Sequence, residues 1–313
     1  LPLGWTELTR PFAGERWWAL TFPLATFALT AGLAFKLASR RDLGAGLLPA
    51  RPGRPVATRA LRGPQSLAWR LQWPSLTAWA MGYLVLFAVC GAAATDIGQL
   101  AGTSGTLRTG FTRLGGQSAI LDAYLAGLML LAGLGAAGYG VATVLRLRTE
   151  EAANRAEPVL AAAVGRVRWG LSHILVAVAG MALLLATGGA ATGLGEHALA
   201  SGSGPSVAAL TGAALAQLPA ALVVTAVAAC ACGLAAGRSV MAGWTGLAVA
   251  VALSLFGPLL RLPSPVLDLS PFTHSPHLPG GALPVASLAW LTGIALGLFA
   301  AGLAGLRARD IAP

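Results

Sequence analysis

Charge is what this sequence lacks most. Asp, Glu, Lys and Arg make up 10% of its 313 residues, against roughly 25% in an ordinary soluble domain. So few charges cannot cover a water-facing surface of this size, which excludes a soluble enzyme or a soluble binding module. Lysine is reduced to Lys36, inside "AFKLAS". A phosphate-binding loop of the form Gly-x-x-x-x-Gly-Lys-Ser/Thr needs its lysine on the nucleotide phosphates, so the chain has no such site of its own. Cysteine is scarce too: Cys90, Cys230 and Cys232 all fall in apolar runs. Two residues apart on a helix, Cys230 and Cys232 point about 200° apart and cannot jointly clasp a metal; they read as small packing residues. No cofactor or metal is expected. The chain opens Leu1-Pro2 with neither an initiator Met nor the basic-then-apolar pattern of a signal peptide, and it is expected to be part of something longer.

What the sequence has in abundance is apolar length. Hydrophobic residues make up 56% of the chain and the mean hydropathy is +0.72. A helix needs ~20 apolar residues to cross the hydrocarbon core, and seven stretches qualify: about 17–38, 76–94, 123–145, 169–190, 206–236, 243–260 and 284–306. The expected fold is an all-α polytopic membrane protein with seven transmembrane helices. Pro219 in the long fifth stretch predicts a kink. Glycines spread through the spans, as in "GLGAAGYG" (133–140), allow close helix packing.

The net charge of +10 comes from 20 Arg and Lys36. Nucleic-acid binders display such charge on a water-exposed domain, whereas here it falls between apolar runs and reads as topology. Placing the loop 39–74 in the cytoplasm puts sixteen basic residues inside and five outside: Arg10, Arg16, Arg108, Arg113 and Arg261. The positive-inside rule then sets the N-terminus outside and the C-terminus inside. Lys36, Asp96, Asp122 and His173 lie near span ends, and no charge falls in the middle third of any span. Ion-coupled carriers place ionisable groups at mid-membrane, so energy for transport is expected to enter from a separate polypeptide.

One inner segment, "TEEAANRAEPVL" (149–160), gathers three of the eleven acidic residues. Thr149 reads as an N-cap, Glu150 and Glu151 as first-turn acids, and Glu151 with Arg155 as an i,i+4 pair. Pro158 predicts that this stub helix stops near Glu157. It is either a docking element for a cytoplasmic partner or a solvated turn whose charges keep it out of lipid.

Seven further stretches carry a family resemblance: "RPFAGERWW" (10–18), "RRDLGAGLLPARPG" (40–53), "LAWRLQ" (67–72), "DAYLAG" (122–127), "NRAEPVL" (154–160), "LDLSPFTHSPHLPGG" (267–281) and "RARDI" (307–311). Together they resemble the permeases of type-2 ABC (ABC-2) exporters, in particular the group exporting polyketide antibiotics. Such permeases resemble two six-helix halves in tandem. The resemblance implies that residues 1–38 are the lead-in and last helix of a first half. Residues 39–75 would be a basic cytoplasmic linker with an interfacial helix, and residues 76–313 the second six-helix domain. It further implies an ATPase-coupling role for Glu150, Glu151, Arg155 and Glu157, and an interfacial helix at 63–75 carrying Trp69, Arg70 and Trp73. The partners implied are a cytoplasmic ABC ATPase homodimer, and a first half in the same chain or a second permease copy. The cargo implied is a bulky hydrophobic compound such as a polyketide-type antibiotic. Tyr124, Tyr139 and Gln217 are candidate contacts along the path.

The outer loop 262–283 offers Asp268, His274 and His277. The resemblance reads it as short re-entrant segments. A membrane-embedded enzyme acting through these side chains, joined by Glu196 and His197 of the neighbouring outer loop, is the competing class. Export of a lipid or envelope component is the alternative within transport.

Overall fold

The computed structural model describes residues 8–9, 14, 16–39, 63–103, 117–162, 164–199 and 204–309, without the side chains of 95–103, 117–119 and 199. Arg10, Arg108, Arg113, and the linker arginines 40, 41, 51, 54, 59 and 62, which carry much of the charge asymmetry, lie outside these residues. The chain forms two units, Leu1–Thr58 and Arg59–Pro313.

In the first unit a 3-10 turn, Trp17–Leu20, leads into α1, Thr21–Ala38. Phe22, Leu24, Phe27, Leu33 and Phe35 occupy several sides of this helix. A helix apolar around its circumference is suited to a membrane or a core, not to a water-facing surface.

The second unit is built of α2 (Pro64–Thr103), α3 (Gln117–Ala152), the short α4 (Glu157–Ala161), α5 (Arg166–Leu199), α6 (Val207–Leu215), α7 (Leu218–Leu234), α8 (Ser239–Phe256), the single turn α9 (Ser264–Leu267) and α10 (Val285–Ala308). No strand occurs among the described residues. Counting α6 and α7 together, seven helical segments among the described residues are long and apolar enough to cross a membrane. The protein is an all-α polytopic membrane protein, as its apolar runs require.

α3 is the central helix and packs against α2, α5, α7 and α8. Tyrosines tie it to its neighbours: the Tyr83 hydroxyl donates to the Ala132 carbonyl at 2.8 Å and the Tyr124 hydroxyl to the Cys90 carbonyl at 2.8 Å. Away from α3, the two most extensive helix pairs are α2 with α5 and α7 with α10. In the first, a Cβ on Gly91 would run into the Thr192 backbone and one on Gly195 into the Ala88 carbonyl. In the second, Gly233 and Gly302 face each other so closely that a Cβ on either meets backbone. Small residues permit such approach where lipid supplies no hydrophobic force between helices.

Three local expectations are corrected. The interfacial helix at 63–75 is not a separate element: α2 runs unbroken from Pro64 with Pro74 inside it. Its inward stripe explains why. Pro64, Ala68, Gln72 and Leu76 are buried and continue in register to Tyr83, Phe87, Gly91 and Ala94, so packing along one face offsets the hydrogen bond that proline removes. Second, α3 extends through Thr149 to Ala152. The Thr149 hydroxyl bonds back to the Leu145 carbonyl at 3.3 Å and caps nothing. Pro158 sits in the first turn of α4 and starts a helix instead of ending one. Third, Glu196 and His197 belong to the last turns of α5 and not to a loop.

Just before Pro219 the helix is interrupted for two residues, Ala216 and Gln217, whose dihedrals stay in the αR region. α6, whose N-cap Ser206 accepts from Ala209 N–H at 3.2 Å, stops at Leu215, and α7 restarts at Leu218 with Pro219 in its first turn.

Candidate functional site

Two regions gather polar chemistry in this otherwise apolar bundle, one at each end of α3. At its C-terminal end three helix termini converge on Glu151, whose side chain is 1% exposed. One carboxylate oxygen meets Arg309 Nη2 at 2.5 Å and the other Arg148 Nη1 at 3.4 Å. Arg309, just past α10, also accepts from Arg166 Nη1 through its backbone carbonyl at 2.7 Å, and so joins the ends of α3 and α10 to the start of α5. Glu150 faces another way. It lies 3.3 Å from His173 Nε2, while His173 Nδ1 is 3.3 Å from Gln72 Nε2 and Trp169 stands edge-on to the imidazole at 5.7 Å. Arg146 Nη1 donates to the Leu71 carbonyl at 3.0 Å, a further tie from α3 to α2.

The structure therefore divides the four residues assigned to coupling. Glu150 and Glu151 are turned inward and hold helices together; Glu151 does not pair with Arg155. Arg155 is exposed on the turn between α3 and α4 and Glu157 at the first residue of α4; Asn154 forms the turn with φ 55°, a conformation asparagine tolerates better than most residues. Of the residues assigned to the interfacial helix, Trp69, Arg70 and Trp73 are exposed on α2, and the two indoles lie 5.6 Å apart.

At the other end of α3 a cavity of about 580 Å³ opens beneath the connection from α8 to α10. That connection is pinned from inside. Phe272, 2% exposed, presses on α3 where Gly133 leaves room; a Cβ there would stand 2.8 Å from the ring. Ser270 bonds Ser254 of α8 at 2.9 Å and caps the backbone N–H of Phe272. Gln217, in the break between α6 and α7, donates from Nε2 to the Pro276 carbonyl at 3.0 Å. Its buried Oε1 accepts no hydrogen bond among the described residues. Asp122 and His277 also line the cavity. Gly280 lies beside Asp122 with φ 96°, where a side chain would be strained and would crowd the carboxylate.

Of the path candidates, Gln217 lines this cavity, whereas Tyr124 and Tyr139 do not. Tyr124 bonds the α2 backbone, and Tyr139 packs its ring over Gly180. The Asp/His set of the enzyme reading is dispersed: His274 Nε2 meets the backbone carbonyl of Asp268 at 3.1 Å, and His277 turns to the cavity. Among the described residues no three His, Cys, Asp or Glu side chains come together as a metal site. Sequence reading missed Arg309 as the partner of Glu151, and Asp122 as a cavity residue. Neither had a local signal, since each contact joins segments more than 150 residues apart.

A bundle of lipid-length helices, with a charged junction at one end of α3 and a largely apolar cavity at the other, belongs to the class of polytopic membrane proteins. More narrowly, the chain belongs to the family described as the C-terminal domain of multidrug efflux system permease Rv1217c, which matches residues 61–307. It is 39% identical over 310 residues to the multidrug efflux system permease protein Rv1217c of Mycobacterium tuberculosis (strain ATCC 25618 / H37Rv), covering 99% of this chain and 56% of that protein. The chain thus spans little more than half the length of this curated relative. The family's description is that of a transport component, not of an enzyme.

Proposed function

We propose that this chain is the transmembrane permease part of an ATP-driven exporter in a bacterial plasma membrane. A separate cytoplasmic ABC ATPase, acting as a homodimer, binds and hydrolyses the nucleotide. In this reading the charged end of α3 is cytoplasmic, α1 enters from outside, and a first six-helix half or a second permease copy completes the path. The cargo is a bulky hydrophobic compound of the polyketide-antibiotic kind; a lipid or envelope component is the alternative. The observation that carries the reading is the exposed Arg155–Glu157 turn standing on the buried Glu151–Arg309 junction. A partner pressing on that turn would move α3, α5 and α10 together, because Glu151 and Arg309 bind the three ends to one another. The absence of a P-loop lysine supports an external source of energy.

The test is a charge reversal at the turn, Arg155→Glu with Glu157→Arg. Neither side chain is buried, so folding is expected to be unchanged. Co-purification of the ATPase in mild detergent, and ATP-dependent flux in proteoliposomes, should both fall about tenfold or more, the scale of losing two charged contacts at an interface. Flux that runs on a proton gradient without nucleotide, or a double variant that still binds and drives the ATPase, would sink the proposal.

A further inference from the structure

We infer that the cavity beneath the α8–α10 connection binds an amphipathic cation, with its positive centre against Asp122 and an N–H group on Gln217 Oε1. This deepens the exporter reading by naming a substrate class and a place for it. The volume, about 580 Å³, falls within the range of roughly 300–1,000 Å³ typical of small-molecule sites. Its walls are mostly apolar, with Leu130 of α3, Leu253 of α8, and Leu267 and Phe272 of the connection. Such walls select a hydrophobic body. The polar groups select what that body carries.

Gln217 cannot be turned to satisfy itself. Its Nε2 must face the Pro276 carbonyl, because that oxygen only accepts, and flipping the amide would set two acceptors against each other. Its Oε1 is therefore left as a buried acceptor awaiting a donor. Asp122 is half-buried, and no basic side chain among the described residues forms an ion pair with it. A carboxylate in such a partly desolvated place attracts a cation more strongly than one in water. Gly280 keeps the space beside this carboxylate open. His277, the other titratable side chain lining the cavity, is exposed at its rim. Acceptors deep and at the side, with apolar walls between, fit an aromatic amine or ammonium and disfavour an anion.

The test measures binding, not transport, so its failure is separable from failure of the exporter reading. The permease in lipid nanodiscs is titrated with ethidium, a planar cation bearing amino groups, and with N-phenyl-1-naphthylamine, a neutral amphipathic probe. Asp122→Asn should weaken ethidium about tenfold, as expected for losing a charged partner, while neutral-probe binding moves by less than about twofold. Gln217→Met, which keeps the side chain's length, should weaken ethidium several-fold and leave elution in gel filtration unchanged. Discs of phosphatidylglycerol alone and discs containing phosphatidylethanolamine separate the two sources of an ammonium group. Competition in the latter identifies a lipid headgroup as the occupant, and equal binding identifies a free compound. No ethidium binding by the parent protein, ethidium binding unchanged in Asp122→Asn, or equal loss of both probes overturns the inference.

Discussion

Glu151 shows how a single carboxylate can organise an end of the bundle. Burying it is costly, and its two arginines repay that cost only while the geometry holds. Replacing Glu151 with Ala leaves Arg148 and Arg309 facing each other without an acid between them. The expected loss is about 3 kcal/mol, the low end for a broken buried pair because both arginines keep some solvent. Thermal unfolding in detergent checks it, with Arg155→Ala as a control expected to shift stability by less than about 0.5 kcal/mol. Reading the sequence put the acids in the first turn of a separate stub helix, whereas they close the end of α3 and turn inward. The cause is physical: Arg309 arrives from 158 residues away, and no local pattern announces a partner so remote. Pro158 misled for a different reason. The same residue ends one helix and begins another, and only the φ of Asn154 and the inward pull on Glu151 decide between them.

At the scale of elements, hydrophobic length made all seven spans legible, because lipid imposes a length that no loop imitates. Their ends were less so. α2 and α3 continue well beyond the apolar runs, as their buried faces persist into polar sequence; Ala68 and Gln72 keep the register of Leu76 and Tyr83. The glycine crossings give a direct test of which faces meet. Gly302→Leu would drive a side chain into the backbone of α7 and should cost about 1–3 kcal/mol or more as overpacking. Gly293→Leu on the same helix meets nothing within 4 Å and should be close to neutral. Equal melting temperatures for the two variants would show that α7 and α10 do not cross as described.

For the molecule as a whole, the decisive question is which end faces the cytoplasm. The arginine asymmetry predicts, from sequence, that the end of α3 carrying Arg155 faces inward, although most of the linker arginines lie outside the described residues. In a background with Cys90, Cys230 and Cys232 replaced by Ala, a cysteine at position 155 should react with a membrane-impermeant maleimide in inverted vesicles only. A cysteine at position 277 should react in intact cells only. The opposite labelling would invert the topology and remove the turn at 153–158 from reach of any cytoplasmic ATPase. The cavity was scarcely legible in advance. It is made by a connection folded back over the bundle, and Gln217 entered the reading through its neighbour Pro219, without sight of what it would touch.

α3 reaches both polar regions in one unbroken piece. From Asp122 to Glu151 is about 44 Å of helix at 1.5 Å per residue, with no proline along the way. With no proline to kink it, such a helix is suited to carry a tilt from one end to the other. If the turn at Arg155 is driven and α3 tilts as one body, the wall holding Asp122 swings in the same stroke, and spin labels at positions 123 and 155 should change their distances to a reference on α8 together in time.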